Sequence, residues 1–453
     1  MRSALLILVA LLGAWSARPL AQTTQPASMA LSVPYSQFTL TNGLHVILHE
    51  DHTVPMVSVN VWYHVGSANE RPGRRGFAHL FEHLMFEGSK NVQEGEFDTL
   101  LESAGGSNNG STNNDRTNYF IDVPSNALEL ALFLESDRMA YLLDTMTPQR
   151  VDGQRDVVKN ERRQSYENAP YGMAAIILNE MLYPKNHPYH WPTIGYMEDL
   201  TAAGHDDVIE FFRKYYVPNN ASLVIAGDIN PAETRKLVEK WFSDVPRGNP
   251  VEPVVAPAAM PTKVDRRTIT DRVQLPRLFL AWITPPSYAP GDAALDVLSS
   301  VLTGGKNSRL YKRLVYDMQI AQSVSAAQQS GRLASEFVID VIARPGHTIE
   351  ELQKVIDEEL EKLKAAPPDV REVERAFNQI EASFYGQMER VGSYNGKADQ
   401  LNAYYTFTGN PDYFAEDLAR YRALAPSDIQ AIAQRFLPID RRIELVVMPE
   451  AGK

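Results

Sequence analysis

Apolar and polar residues alternate through Phe38-Thr39-Leu40 and Leu44-His45-Val46-Ile47-Leu48, with Asn42-Gly43 between them. Asn-Gly joining two alternating runs predicts a tight β-hairpin. A further alternating run at 57–65 predicts a strand, and from residue 76 the spacing of apolar positions becomes helical. Residues 96–102 read as a short helix, the Asn- and Thr-rich stretch 107–123 as strands, and 126–142 and 150–167 as helices. A short apolar strand at 223–226 then precedes Gly227-Asp228 and a helix at 231–242.

Pro246, Pro250, Pro253, Pro257 and Pro261 fall in a stretch with no apolar period, which predicts a proline-stiffened linker. Beyond it, 278–282 reads as a strand, 293–302 as a helix, Gly304-Gly305 as a turn leading into 309–316, and 337–343 as a strand. Long helices follow at 349–365 and 372–390, and the final strand, 443–449, mirrors 223–228. Each half therefore runs strands, helix, strands, helices, final strand. Such a duplication predicts two homologous α+β domains, at 30–245 and 266–450, joined by a linker at 246–265. A chain of 453 residues exceeds what one core usually organises, which agrees.

The candidate chemistry lies in the first predicted helix, His79-Leu80-Phe81-Glu82-His83. Residues four apart on a helix share one face, so both imidazoles can converge on one ion, with Glu82 beside them. A catalytic zinc takes three protein ligands and keeps one position open, so a third ligand must come from elsewhere. Glu161, 78 positions after His83, is the candidate. Attack of water on a peptide carbonyl needs a proton acceptor near the ion, a role open to Glu82. The order His-x-x-Glu-His inverts the commoner zinc-protease motif. The apolar surroundings Ala78, Leu80, Phe81, Leu84, Met85 and Phe86 make two unpaired histidines and a glutamate costly unless something compensates them. Around Glu161, the charges of Arg155, Lys159, Arg162 and Arg163 taken alone favour a carboxylate on a solvated helix face.

The run from Gly76 to Ser89 closely resembles the M16 (pitrilysin-type) metallopeptidases, and within them the two-domain members similar to the mitochondrial processing peptidase β subunit. Further matches follow in order: Ala104-Gly105-Gly106 through Tyr119-Phe120, Val157 to Glu161, Pro188-Tyr189 with Gly195, and Tyr216 to Asp228. The resemblance implies that each domain is a mostly antiparallel sheet packed with helices. It implies Zn2+ held by His79, His83 and Glu161, with Glu82 as general base. Many relatives carry a second glutamate seven positions before the third ligand; here that position is Gln154, and Asp156 or Glu167 could stand in for it. Asn109 and Gly110 fall where the family holds substrate backbone as an added strand. His187, Tyr189, His190 and Trp191 match a loop of structural character and are read as packing.

Only the first half carries the metal motif; the helix near 292–302 has no histidine and no paired glutamate. Relatives acting on peptides use an Arg and a Tyr, seven positions apart in the C-terminal unit, to hold the substrate carbonyl. Aligned at 313–324, the Tyr falls on Gln322 and the Arg near Val315 or Arg313. The resemblance then implies a heterodimer with a metal-free homologue that supplies the pair, or a homodimer using Arg309, Arg313 or Tyr316. The implied activity is a zinc endopeptidase acting on extended peptides or unfolded segments. The alternative is a non-proteolytic scaffold subunit, whose relatives show degraded metal motifs.

A net charge of −12 and a pI near 5.4 argue against nucleic acid or anionic membrane as partners. Arg2, an uncharged run at 3–17 rich in leucine, and small residues to Ala21 have the architecture of a signal peptide, 1–21. The apolar run is shorter than the roughly 20 residues that span a bilayer, so cleavage rather than stable membrane insertion is expected. Without cysteine, the chain forms no disulfide and takes no lipid at a cysteine. The periplasm is the expected location.

Overall fold

The computed structural model describes residues 31–257 and 259–450. The segment read as a signal peptide, 1–21, lies outside them. In chain order the first half comprises β1 (Ser36–Thr39), β2 (His45–Glu50), β3 (Met56–Tyr63), α1 (Phe77–Leu84), α2 (Glu96–Ser103), β4 (Ser107–Thr112) and β5 (Thr117–Pro124). It continues through α3 (Leu128–Tyr141), α4 (Pro148–Arg162), α5 (Met173–Leu182), α6 (Met197–Ala202), α7 (His205–Tyr215), β6 (Ala221–Gly227) and α8 (Pro231–Phe242). The second half comprises β7 (Asp265–Asp271), β8 (Arg277–Thr284), α9 (Asp292–Thr303), β9 (Ala321–Gln329), β10 (Ser335–Ala343), α10 (Ile349–Ala365) and α11 (Val370–Met388). It closes with α12 (Lys397–Thr408), α13 (Phe414–Arg422), α14 (Pro426–Phe436) and β11 (Ile443–Pro449).

Two sheets form, ordered β1-β2-β6-β3-β5-β4 and β7-β11-β8-β10-β9. In each, the last strand inserts next to the first long one, parallel to β2 or β7, and every other pairing is antiparallel. With β1 set aside the two orders superimpose strand for strand, so the duplication read from the sequence is a duplication of topology. The fold is α+β with two homologous domains. The strand β7 is missing from the sequence reading for a physical reason. Its residues are mostly exposed, Asp265-Arg266-Arg267 among them, and only parallel pairing with β11 makes it a strand.

The halves exchange helices. On β3, Val57, Val59, Val61 and Tyr63 face the first half's own helices. Ser58, Asn60 and Trp62 point the other way, and an alternating strand ordinarily leaves such a polar face to water. Here it is buried beneath α12 of the second half. Asp399 on α12 accepts from Trp62 Nε1 at 2.8 Å, Asn118 Nδ2 at 2.9 Å and Asn60 Nδ2 at 3.3 Å. Asn402 donates to the Asn60 carbonyl and side-chain oxygens at 3.1 and 3.0 Å. Reciprocally, Ala174, Leu178 and Leu182 on α5 pack with Ala281, Ile283, Leu445 and Val447 of the second sheet. The linker separates the two sheets in sequence, but not their coverings.

Candidate metal centre

The motif helix begins at Gly76, whose φ of 94° is a left-handed conformation suited to glycine. A side chain there would also meet the backbone of Gly195 at 2.9 Å. The buried carboxylate of Glu70 accepts the Gly76 and Ala78 N–H groups, both at 2.8 Å, satisfying donors that a helix N-terminus leaves open. The loop carrying Gly195 reaches the other ligand-bearing helix too. Buried Arg162, at the end of α4, donates to the Gly195 carbonyl at 2.6 Å and to Glu167 at 3.2 Å. One loop thus fixes the start of α1 and the end of α4.

Between these ends the side chains of His79, His83 and Glu161 converge, with one donor atom from each lying within 4.8 Å of the others. Glu161 Oε2 stands 3.2 Å from His83 Nε2 and 3.7 Å from His79 Nε2. Two ligands about 2.0–2.1 Å from a tetrahedral zinc are roughly 3.3–3.4 Å apart, so the spacing fits that ion. The donor chemistry fits as well. Burial pushes the His79 imidazole toward its neutral form, and the bond with His83 holds the Glu161 carboxyl below its ordinary range. With both imidazoles neutral and their Nε2 atoms deprotonated, the three atoms present lone pairs to one point, which calls for a positive charge between them. No other group of three His, Cys, Asp or Glu side chains has this spacing among the described residues.

Glu82 lies on the side of α1 that faces β4. Burial raises its carboxyl above the ordinary value, while the Thr112 hydroxyl and the charges of His83 and Arg116 pull the other way. A carboxylate displaced toward neutrality is better matched to taking and returning a proton near pH 7. Gly110 makes room for it, since a Cβ there would lie 3.2 Å from Glu82 Cγ. β4 is an edge of the first sheet, paired with β5 alone, so Asn109 and Gly110 stand beside Glu82 on a strand with no second partner strand.

Gln154 donates to Glu87 at 2.5 Å, bridging α4 to the residue four after His83. Neither carboxylate weighed as its substitute reaches the imidazoles: Asp156 pairs with Lys159 at 3.4 Å, and Glu167 with Arg162. His187, Tyr189, His190 and Trp191 are packing groups. Their polar atoms bond to Tyr189 N, Asp115, the Tyr183 carbonyl and the Ser67 carbonyl respectively. In the second half Arg309 forms a two-pronged pair with Glu372 at 2.7 and 2.6 Å, and Arg313 pairs with Glu358 and Glu359. Tyr316 is 71% exposed and Gln322 lies on the edge strand β9. These arginines are committed to ion pairs inside their own domain. The sequence pattern assigned no such role to Arg162 or Asp399, because each acts on partners distant in the chain; Glu70 acts only six and eight residues ahead, from a stretch without periodicity.

Residues 45–185 match the family described as insulinase (peptidase family M16), and 203–380 match the peptidase M16 inactive domain. The zinc protease PqqE of Helicobacter pylori is 31% identical over 410 residues, covering 89% of this chain and 90% of that protein. The chain belongs to the M16 peptidase family. Another M16 relative, described as "Probable mitochondrial-processing peptidase subunit beta" of Arabidopsis thaliana, is 24% identical over 422 residues, 90% of this chain and 77% of its own length. Among solved M16 structures, a protease from Helicobacter pylori superimposes with a TM-score of 0.84 at 28% identity, over 92% of this chain and 100% of its own. The M16 inactive-domain match spans α9, the counterpart of the motif helix, whose residues include neither His nor Glu. No described helix is long and apolar enough to cross a membrane.

Proposed function

We propose that this protein is a zinc endopeptidase that hydrolyses extended peptides or unfolded segments. The observation that carries this reading is the convergence of His79, His83 and Glu161 beside Glu82 and an open edge strand. His79 and His83 offer Nε2 and Glu161 a carboxylate oxygen to the ion. Bound there, zinc supplies Lewis acidity toward the scissile carbonyl and the water that attacks it. The Glu82 carboxylate takes a proton from that water and returns it to the leaving amine. β4 aligns the substrate by backbone pairing at Asn109 and Gly110, a grip indifferent to side-chain sequence.

The reading extends to assembly and location. With Arg309 and Arg313 consumed by ion pairs, a donor for the substrate carbonyl comes from a second chain, a metal-free homologue in a heterodimer. The leucine-rich leading segment sends the protein to the periplasm. The donor set disfavours a scaffold role, because a scaffold has no use for three converging lone pairs beside a carboxylate.

Glu82→Gln tests the mechanism. The variant keeps one zinc per chain by metal analysis and loses peptidase activity by about 10²–10⁴-fold. Retained activity refutes the role of Glu82, and a stoichiometry far below one zinc per chain in the unmutated protein refutes the zinc enzyme.

A further inference from the structure

The outer edge of β4 is already engaged, and by a residue of the second half. The Gly110 N–H donates to Asn109 Oδ1 at 2.8 Å, and the Gly110 carbonyl accepts from the Tyr394 hydroxyl. Both bonds run to side chains rather than across the ladder to Tyr119, the β5 partner of Gly110. Alternation in an antiparallel pair thus marks Gly110 as a position whose backbone groups face away from β5. These are the groups an added peptide strand has to use.

Tyr394 sits in the connection between α11 and α12, its ring edge-on to Phe120 with centroids 4.8 Å apart. Its neighbours Ser393 and Asn395 have φ of 63° and 57°, a left-handed conformation disfavoured for non-glycine residues. Such backbone persists only where the surroundings enforce it. Here two carboxylates do so: Ser393 donates from its N–H at 2.9 Å and its hydroxyl at 3.1 Å to Asp122, and the Asn395 N–H donates to Asp399 at 3.0 Å. With the backbone clamped on both sides, uncovering the strand requires rotation of the Tyr394 side chain alone. The strand it covers, Ser-Asn-Asn-Gly-Ser-Thr, has neither charge nor proline, the usual protections of an exposed edge.

We propose that Tyr394 is a substrate-displaced cap on the edge strand. In the peptide-free chain its hydroxyl occupies the Gly110 carbonyl; an extended peptide adding to β4 takes that carbonyl with a backbone N–H and turns the phenol out. The inference rests on the peptide-strand reading above and adds a selection rule to it. A peptide with proline at the residue paired with Gly110 has no N–H to offer and leaves the cap in place.

The test uses a fluorescein-labelled unstructured peptide that the unmutated enzyme cleaves, titrated into full-length Glu82→Gln protein with and without Tyr394→Phe. The phenylalanine keeps the ring against Phe120 and removes only the donor. The Tyr394→Phe protein is expected to bind the peptide roughly two- to tenfold more tightly, the equilibrium weight of one neutral hydrogen bond. Unchanged or weaker affinity overturns the cap alone, since a merely structural tyrosine would not tighten binding when truncated. If no unstructured peptide is cleaved or bound, the peptide reading falls and the cap with it.

Discussion

Arg162 donates to the carbonyl of Gly195 at 2.6 Å, and Gly195 in turn lies against the backbone of Gly76. Through this contact the helix ending just after Glu161 and the helix carrying His79 and His83 share one support. The separation of the ligands is thus set by a loop that contains none of them.

Gly195→Ala is expected to disrupt that support. At φ 74° the new Cβ would sit 2.4 Å from Gly76 Cα and from the Arg75 carbonyl, both backbone atoms that cannot move aside cheaply. A stability loss on the order of 3 kcal/mol is expected in denaturant melts, with zinc retained at least about tenfold less well under chelator competition. Gly153→Ala is the control. A Cβ there meets nothing within 4 Å on the same helix as Glu161, so this variant should be neutral or more stable by up to about 1 kcal/mol.

Asp399 is the main polar link between α12 and the first sheet. Asp399→Ala would leave the side-chain donors of Trp62, Asn60 and Asn118 and the N–H of Asn395 without their acceptor in a buried interface. A loss of about 3–5 kcal/mol in equilibrium unfolding is expected. Asp399→Asn, which keeps one acceptor oxygen, should lose less; equal losses would show that charge rather than hydrogen bonding dominates there.

Glu336 on β10 makes stability depend on pH. Its Oε2 is buried without a hydrogen-bond partner, and burial pushes the carboxyl up to about 7. The unfolded chain releases that proton near the ordinary glutamate value of about 4.3. Because the folded value is the higher one, the favourable contribution is complete below the unfolded value and is lost as pH rises through about 7. Raising the pH from about 5 to about 8 should therefore lower stability by an amount on the order of 2–3 kcal/mol. Melting temperatures of the unmutated and Glu336→Gln proteins across this range check the point, and the Gln variant should show a flatter profile.

The metal site was legible in the chain because its central constraint is local: four residues of helix bring His79 and His83 onto one face wherever that helix lies. Alternation likewise announced β2 and β3, and a short apolar run announced the closing strand β6, whose two faces are both buried. Glu161 was different. Its charged neighbours describe a solvated helix, and only the resemblance singled it out; the fold brings it to 3.2 Å from His83. What the chain could not announce is what covers the polar side of β3. Asn60 and Trp62 look solvent-facing by pattern, yet they are buried because a helix more than 300 residues later brings Asp399 and Asn402 to satisfy them. Periodicity reports which side of an element is apolar, and nothing about a polar surface that another part of the chain arrives to complete. The same holds at the edge strand, where sequence identified an open side and tertiary structure laid Tyr394 across it.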